Sequence, residues 1–434
     1  RLERGRNQVL ISDVAGQIDT TTVAFASVTD PDGTRVTEQN FQYDLVSPDK
    51  LLARYIDRDI AVERVIGERI ETLEGTLLST QGGLVLREAD GSVRTVGHGA
   101  GVRLPQLPGG LITRPTLVWD IAARQAGEHT VRIAYQSAGL GWWTDYNLTL
   151  DDSRGCRLGV GAWVSILNQS GASYRDARIK LVAGDVHRAE VRRGYAVPKA
   201  ARALAMESDA VAGFEEKAFF EYHLYTLGRT TSVPDNSTKQ IELFPAARGV
   251  ECEKTLVYYG QAGQHFGHGG VMSDRNYGAT GSTAVDVYLR FANREAQGLG
   301  VPLPAGRVRV SKLDPADGSL EFIGEDAIDH TPKNETVKLK LGTAFDVVGE
   351  RRQTDFRVDS ARNTMSEEIE IRLRNRKDEA VTVIVKENLY RWTNWRILSA
   401  SHQWQKQDAR TIHMPVTIAP DGEAVVRYRV RYDW

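Results

Sequence analysis

Between Ala284 and Trp434 apolar residues recur at every second position, and this period constrains the fold more than any other feature of the chain. Val285, Val287, Leu289 and Phe291 form one stripe, and Val337, Leu339 and Leu341 another. Ile369, Ile371 and Leu373 are followed by Val381, Val383 and Val385, and Val426, Tyr428, Val430 and Tyr432 close the chain. Successive side chains of a strand point to opposite faces, so each stripe predicts a strand with one buried face. Ala316-Asp317-Gly318 and Pro420-Asp421-Gly422 supply turns, because glycine accepts a positive φ without steric cost. Strands at roughly ten-residue spacing over residues 362–434 suit an immunoglobulin-like sandwich.

The same alternation runs, less regularly, through the first 280 residues. Val9 and Ile11 begin it, then Val23 and Phe25, with a proline- and glycine-containing turn at Asp30-Pro31-Asp32-Gly33. Val131, Ile133 and Tyr135 run into Ala138-Gly139-Leu140-Gly141, and Trp142, Trp143 and Tyr146 follow before Leu148 and Leu150. Two strands meeting at a glycine turn predict a core hairpin over Val131–Leu150. Ser47-Pro48-Asp49 predicts a capped helix over Lys50–Ile56, with Pro48 at its first position. Five short apolar runs follow at Ile60–Val62, Ile70–Leu73, Gly75–Leu78, Leu84–Leu86 and Val93–Val96, which suggests a small SH3-like or Sm-like barrel. Gly97–Pro115 reads as a linker, since Pro105, Pro108 and Pro115 exclude helix. An alanine-rich stretch within 190–216 is either a short amphipathic helix or a mobile excursion. Gly260–Ser282 is glycine-rich and reads as a long loop.

The expected fold class is therefore mainly β, a multi-module antiparallel protein with few short helices. Its parts are N-terminal strands over 1–46 pairing with the core, a barrel insert over 47–98 and a central β domain over 99–282. A β segment over 283–361 and the immunoglobulin-like sandwich over 362–434 complete it.

Composition excludes several function classes. The chain has 434 residues, 41% of them hydrophobic and 26% charged, which excludes wholesale disorder. A net charge of -2 gives no global field to recruit nucleic acid. No apolar run approaches the about 18 residues of a membrane-spanning helix. Cys156 and Cys252 are either two separate thiols or a disulfide, and a disulfide requires an oxidising compartment. Asn-X-Ser/Thr sequons start at Asn147, Asn168, Asn236 and Asn334.

No phosphate-binding glycine loop, dinucleotide fingerprint, nucleophile elbow or zinc-peptidase helix motif occurs. The best metal candidate is His265-Phe266-Gly267-His268, where two imidazoles could share a transition metal with Asp274 as an oxygen ligand. Such an ion could run hydrolytic or redox chemistry, which makes a metal-dependent enzyme the alternative functional reading. The ligand set is incomplete, since a catalytic zinc wants three protein ligands and an open position. His187 beside Asp185 could form an acid–base pair or a local turn contact. His223 reads as a sheet-surface histidine, and His402 and His413 have no carboxylate cluster beside them. Tyr390, Trp392, Trp395 and Trp404 form either an exposed strip suited to sugar or peptide binding, or core filling between two sheets.

Several stretches carry a family resemblance: Gln17-Ile18-Asp19-Thr20-Thr21-Thr22-Val23, AYQSAGLGWWTDYNLTL, LVAGDVHR, FFEYHLYTLGRTTSVPDNSTKQIELF, and PLPAGRVRV with LGTAFDVVGERRQTDF. The chain resembles the bacterial family known as domain of unknown function 4139, also labelled mucoidy inhibitor A-like. Many members carry a long coiled coil where this chain has the module at 47–96, and members begin with a further strand after a signal peptide. The resemblance implies an exported protein, in the periplasm or at the cell surface after removal of a leader, and it supplies no catalytic residues. The expected function is a non-enzymatic envelope or secreted β protein acting in binding or assembly. An N-terminal strand without its neighbour would leave Val9–Ile11 as a free edge, open to self-association or to another envelope protein.

Overall fold

Trp119 is completely enclosed, and the strand that carries it, Thr116–Ala123, is buried along nearly all its length. A continuous apolar run (Leu117, Val118, Trp119, Ile121) has no polar face to offer solvent, so it takes the central place in its sheet. Gly5–Ser12 pairs antiparallel on one side of it and Thr34–Gln42 on the other. Ile18–Ser27 and Val131–Ser137 form a separate antiparallel pair. Phe25 from that pair meets Trp119 edge-on at 5.2 Å, and Gln39 Oε1 accepts from Trp119 Nε1 at 2.7 Å. The computed structural model describes residues 1–434 apart from 13, 45, 67–68, 98–100, 107, 109–110, 154, 185–213, 262–269 and 280. The chain divides into two compact units. One comprises Arg1–Gly141, Leu167–Ala177 and Ser232–Thr238, and the other Trp142–Ile166, Arg178–Thr231 and Lys239–Trp434.

Within the first unit the predicted helix forms over Pro48–Arg54. Ser47 is its N-cap, the hydroxyl accepting from Lys50 N at 3.3 Å, and Pro48 opens the helix. It is the only α-helix among the described residues. A five-stranded antiparallel sheet follows, in the order Val93–Val96, Leu84–Arg87, Arg69–Ser79, Asp59–Ile66, Gly101–Arg103. Its core gathers Tyr55, Ile60, Val62, Leu77 and Leu86. Two expectations differ here. Ile70–Leu73 and Gly75–Leu78 are one strand, because Gly75 marks a close approach: a Cβ there would stand 2.7 Å from the Arg87 carbonyl oxygen. Gly101–Arg103, read as linker, is the fifth strand and pairs with Asp59–Ile66.

The expected core hairpin is not formed. Val131–Ser137 pairs with Ile18–Ser27, whereas Leu140–Asp151 lies between Gly306–Leu313 and Arg157–Asn168. Gly139, at φ +81°, turns the chain against the Gln169 carbonyl, where a Cβ would come within 2.6 Å. Its own carbonyl accepts from Gln169 N at 2.7 Å. With the bond from Ala138 N to the Gln17 carbonyl at 3.1 Å, that contact ties the corner to other segments, and the chain passes from one unit to the other at Gly141–Trp142.

The second unit is built on a long sheet. Its strands run in the order Leu320–Ile328, Gly306–Leu313, Leu140–Asp151, Arg157–Asn168, Ser237–Tyr258, Ala284–Ala292, Thr336–Asp359, Thr364–Asn375, Glu423–Asp433 and Trp395–Ala400. Val381–Asn388 and Thr411–Ile418 pair antiparallel beside it. Most pairings are antiparallel. Leu140–Asp151 with Gly306–Leu313, and Ser237–Tyr258 with Val381–Asn388, are parallel. The boundary expected between 361 and 362 falls in the tight turn joining Thr336–Asp359 to Thr364–Asn375, two strands paired from Val347 to Asn375. The predicted stripes meet in one core containing Ile369, Ile371 and Leu373, Val383 and Val385, and Val426 and Val430. Each fully buried aliphatic side chain contributes about 1.5–3 kcal/mol, so this core outweighs any single polar contact in the unit. Cys156 and Cys252 form a disulfide with Cα atoms 5.0 Å apart, joining the residue just before Arg157–Asn168 to the neighbouring strand Ser237–Tyr258.

Candidate functional site

Two acidic residues occupy inward positions on the apolar stripes. Thr364–Asn375 carries Glu367 in step with Ile369 and Ile371, and Val381–Asn388 carries Glu387 in step with Val383 and Val385. Strand period alone therefore sends both carboxylates into the core, where a lone charge would be costly. Each finds an arginine. Arg351 Nε reaches Glu387 Oε2 at 3.0 Å, and Arg391 Nε reaches Glu367 Oε2 at 2.8 Å. Tyr428 donates its hydroxyl to Glu387, and Tyr432 donates to Glu367 Oε1 at 3.0 Å. Gln353 adds a donor to Glu367 at 3.1 Å.

Three of the terminal guanidinium nitrogens hold backbone, and the fourth, Arg351 Nη2, is buried without a hydrogen-bond partner among the described residues. Arg391 donates to the carbonyls of Met272 at 3.1 Å, Asp274 at 2.8 Å and Tyr277 at 3.2 Å. Arg351 donates to the Gly278 carbonyl at 2.9 Å, and Tyr390 OH to the Tyr277 carbonyl at 2.6 Å. Arg391 also lies 4.4 Å from the Phe356 ring centre. Burial raises the Glu387 carboxyl above its ordinary range, with Arg351 opposing that rise. Burial is the largest single influence on Arg351 and works against its charge, but Glu387 together with Tyr428, Glu367 and Tyr390 outweighs it, and the guanidinium is held well above its ordinary value. Burial, reinforced by Glu387 and Glu367 respectively, lifts the phenols of Tyr428 and Tyr432 well above theirs. Enclosed in this way, the two sets act as clamps on Met272–Gly278 and line neither of two hollows beside the Trp395–Ala400 strand.

Above this network lies the end of the long sheet. Among the described residues Trp395–Ala400 pairs only with Glu423–Asp433, Trp395 standing opposite Tyr432. A bulge between Ile397 and Ser399 interrupts the register and leaves Leu398 49% exposed. A hollow of about 640 Å³ follows the strand, lined by Ile397 through Trp404. A second, of about 330 Å³, is lined by Thr393 to Arg396 with Lys406 and Asp433. Trp395 and Trp404 meet at 6.2 Å and 62° between them, and Lys406 Nζ sits 5.0 Å from the Trp395 ring centre. Arg396 is directly opposite Arg431, a like-charge pair of the kind that destabilises a sheet. Arg431 is answered by Asp433 at 2.8 Å. An unpaired strand edge, two cations and an exposed indole together form a surface suited to an extended, acidic chain.

The aromatic cluster read from sequence thus divides. Tyr390 is buried and Trp392 half-buried against the core, while Trp395 and Trp404 flank the edge. Of the metal candidates, His265 and His268 lie outside the described residues. Asp274 is exposed, and its carboxylate accepts from Asn276 N at 2.9 Å, which closes a turn. Among the described residues no group of three or more His, Cys, Asp or Glu is placed to hold a metal. His187 with Asp185, and residues 190–213 of the alanine-rich stretch, also lie outside, whereas Phe214–Phe219 is strand. His223 is on a sheet surface, 2.7 Å from Glu216. His402 lines the larger hollow and contacts Ser401 Oγ at 2.9 Å. Of the sequons, Asn168 is fully buried, its amide donating to the carbonyls of Ala172, Val233 and Pro234.

In the first unit the strand carrying Val9 and Ile11 is paired to Thr116–Ala123 and ends its three-stranded sheet, so its second side meets no strand among the described residues. The Arg–Glu–Tyr clamps were the feature missed by sequence reading, although the signal was present as two glutamates in register with apolar stripes. The chain matches no protein-family model, no curated protein and no solved structure.

Proposed function

We propose that the protein is a non-enzymatic binding and assembly module of the bacterial cell envelope, which captures an extended acidic segment of another envelope protein. The observation that carries this reading is the Trp395–Ala400 edge, paired on one side and bordered by the hollow lined by Ile397–Trp404. Strand addition would satisfy the free backbone groups, and carboxylates on the incoming chain would offset Arg396 and Lys406. The disulfide supports an oxidising compartment, the periplasm or the cell surface. The resemblance to the domain of unknown function 4139 family points the same way.

The test is in-cell cross-linking from a photoreactive side chain at Leu398 in the full-length protein. We expect an adduct with another envelope protein that is strongly reduced by Arg396→Glu. Absence of any adduct, or an adduct only with a second copy of this chain, removes the proposed partner. Fractionation that leaves the intact gene product in the cytosol removes the compartment.

A further inference from the structure

Away from that edge, the outward face of the same unit carries a second arrangement. Trp143 on Leu140–Asp151 and Trp163 on Arg157–Asn168 are 41% and 40% exposed, although each stands on an interior strand. Between them lies Asp145, itself almost fully buried. Asp145 accepts from Trp143 Nε1 at 2.8 Å, Ser165 Oγ at 3.4 Å, Arg307 Nη2 at 3.3 Å and Arg309 Nη1 at 3.4 Å. One carboxylate therefore orients an indole and two guanidiniums, and most donors of each guanidinium remain unspent. Arg307 and Arg309 are half to one-third exposed.

Two further residues make the face accessible. Gly159 and Gly161 point outward in step with Trp163 by strand period. Neither has a positive φ, and a Cβ at either would meet nothing closer than 3.8 Å. Glycine in a strand interior is unfavourable, and here no turn or close approach within the chain requires it. Its effect is a bare strip of backbone beside an exposed indole.

The charges on this face balance. Arg307 and Arg309 are matched by Asp145 and by Glu325, which lies 3.6 Å from Arg309. A polyanion gains little from such a surface, and a purely apolar partner would strand its oriented donors. A ligand with flat C–H faces for the indoles and many neutral hydroxyls for the arginines satisfies both features.

We infer that the face carrying Trp143, Trp163, Arg307 and Arg309, floored by Gly159 and Gly161, binds a neutral saccharide chain. This site is separate from the strand edge and does not depend on the function proposed for it.

The test is calorimetric titration of the whole protein with neutral hexasaccharides of glucose, mannose, xylose and N-acetylglucosamine, and with heparin. At least one neutral chain is expected to bind with a Kd below about 1 mM. Trp163→Ala should weaken it by about tenfold or more. Gly161→Thr is the decisive variant: it should raise Tm by about 1–4 °C, since it adds strand propensity in open space, and yet abolish saccharide binding. No neutral chain binding up to about 10 mM overturns the inference. So does heparin binding more tightly than every neutral chain, or binding that survives Gly161→Thr.

Discussion

Arg391 and Glu367 meet at 2.8 Å with their side chains 0% and 1% exposed, and the same guanidinium holds three carbonyls of the Met272–Tyr277 segment. One side chain thus neutralises a buried acid and anchors a loop. Removing only the cation leaves the carboxylate without its counter-charge, with only the neutral donors Tyr432 and Gln353, which typically costs about 3–5 kcal/mol. Arg391→Met should therefore lower the stability of the second unit by that amount in denaturant titrations. Arg391→Met with Glu367→Leu should recover much of the loss, because two apolar groups leave no charge to solvate. A single variant as stable as the parent would show that the pair is not enclosed as described.

Glu370 gives the pH dependence. Hydrogen bonds from Arg427 and Arg372 hold its carboxyl below the ordinary 4.5. A depressed folded-state value means that the folded protein binds this proton less readily than the unfolded chain. Its contribution is therefore complete above pH 4.5 and is lost as pH falls through the folded value. Glu370→Gln should flatten the acid limb of the stability curve below pH 4.5. An unchanged acid limb in thermal melts across that range would refute the assignment.

The Cys156–Cys252 bridge closes a loop of 96 residues. Loop-closure entropy in the unfolded chain sets its stabilisation at about 4–5 kcal/mol, with smaller values common in practice. Cys156→Ser with Cys252→Ser should lower the unfolding midpoint accordingly. Thiol labelling of the unfolded, unreduced protein should detect no free thiol, and two labelled thiols would contradict the bridge.

Gly139 tests the corner that replaces the expected hairpin. Its φ of +81° strains any L side chain, and a Cβ would clash with the Gln169 carbonyl at 2.6 Å. Gly139→Ala should cost at least about 1–3 kcal/mol, read from the midpoint of the first unit. Gly141→Ala, where a Cβ meets nothing within 4 Å, serves as the tolerated control.

Much of the fold was legible because strand period is a local property. The stripes at Ile369–Leu373, Val381–Val385 and Val426–Tyr432 are inward-facing in the structure. Ser47 and Pro48 announced the helix over Pro48–Arg54 through their own backbone chemistry. Partnership was less legible. Val131–Ser137 and Leu140–Asp151 read as a hairpin because turn chemistry reports a change of direction, not the strand that will be met after it. The candidate edge was half visible: Trp395 and Trp404 stood out, but only the sheet order places them at its end.

By itself the sequence determined where most strands lie and which face of each is buried, and it held, unread, two glutamates in register with apolar stripes, which need counter-charges once enclosed. These follow from side-chain spacing and the cost of burying polar groups. Only the tertiary structure decided that Arg351 and Arg391 are those counter-charges, that Cys156 meets Cys252, and that Trp143 and Trp163 share an outward face with Arg307 and Arg309. Each of those contacts joins residues from different segments of the chain, most of them far apart in sequence. Register between strands is set by packing of the whole sheet, which no local period encodes.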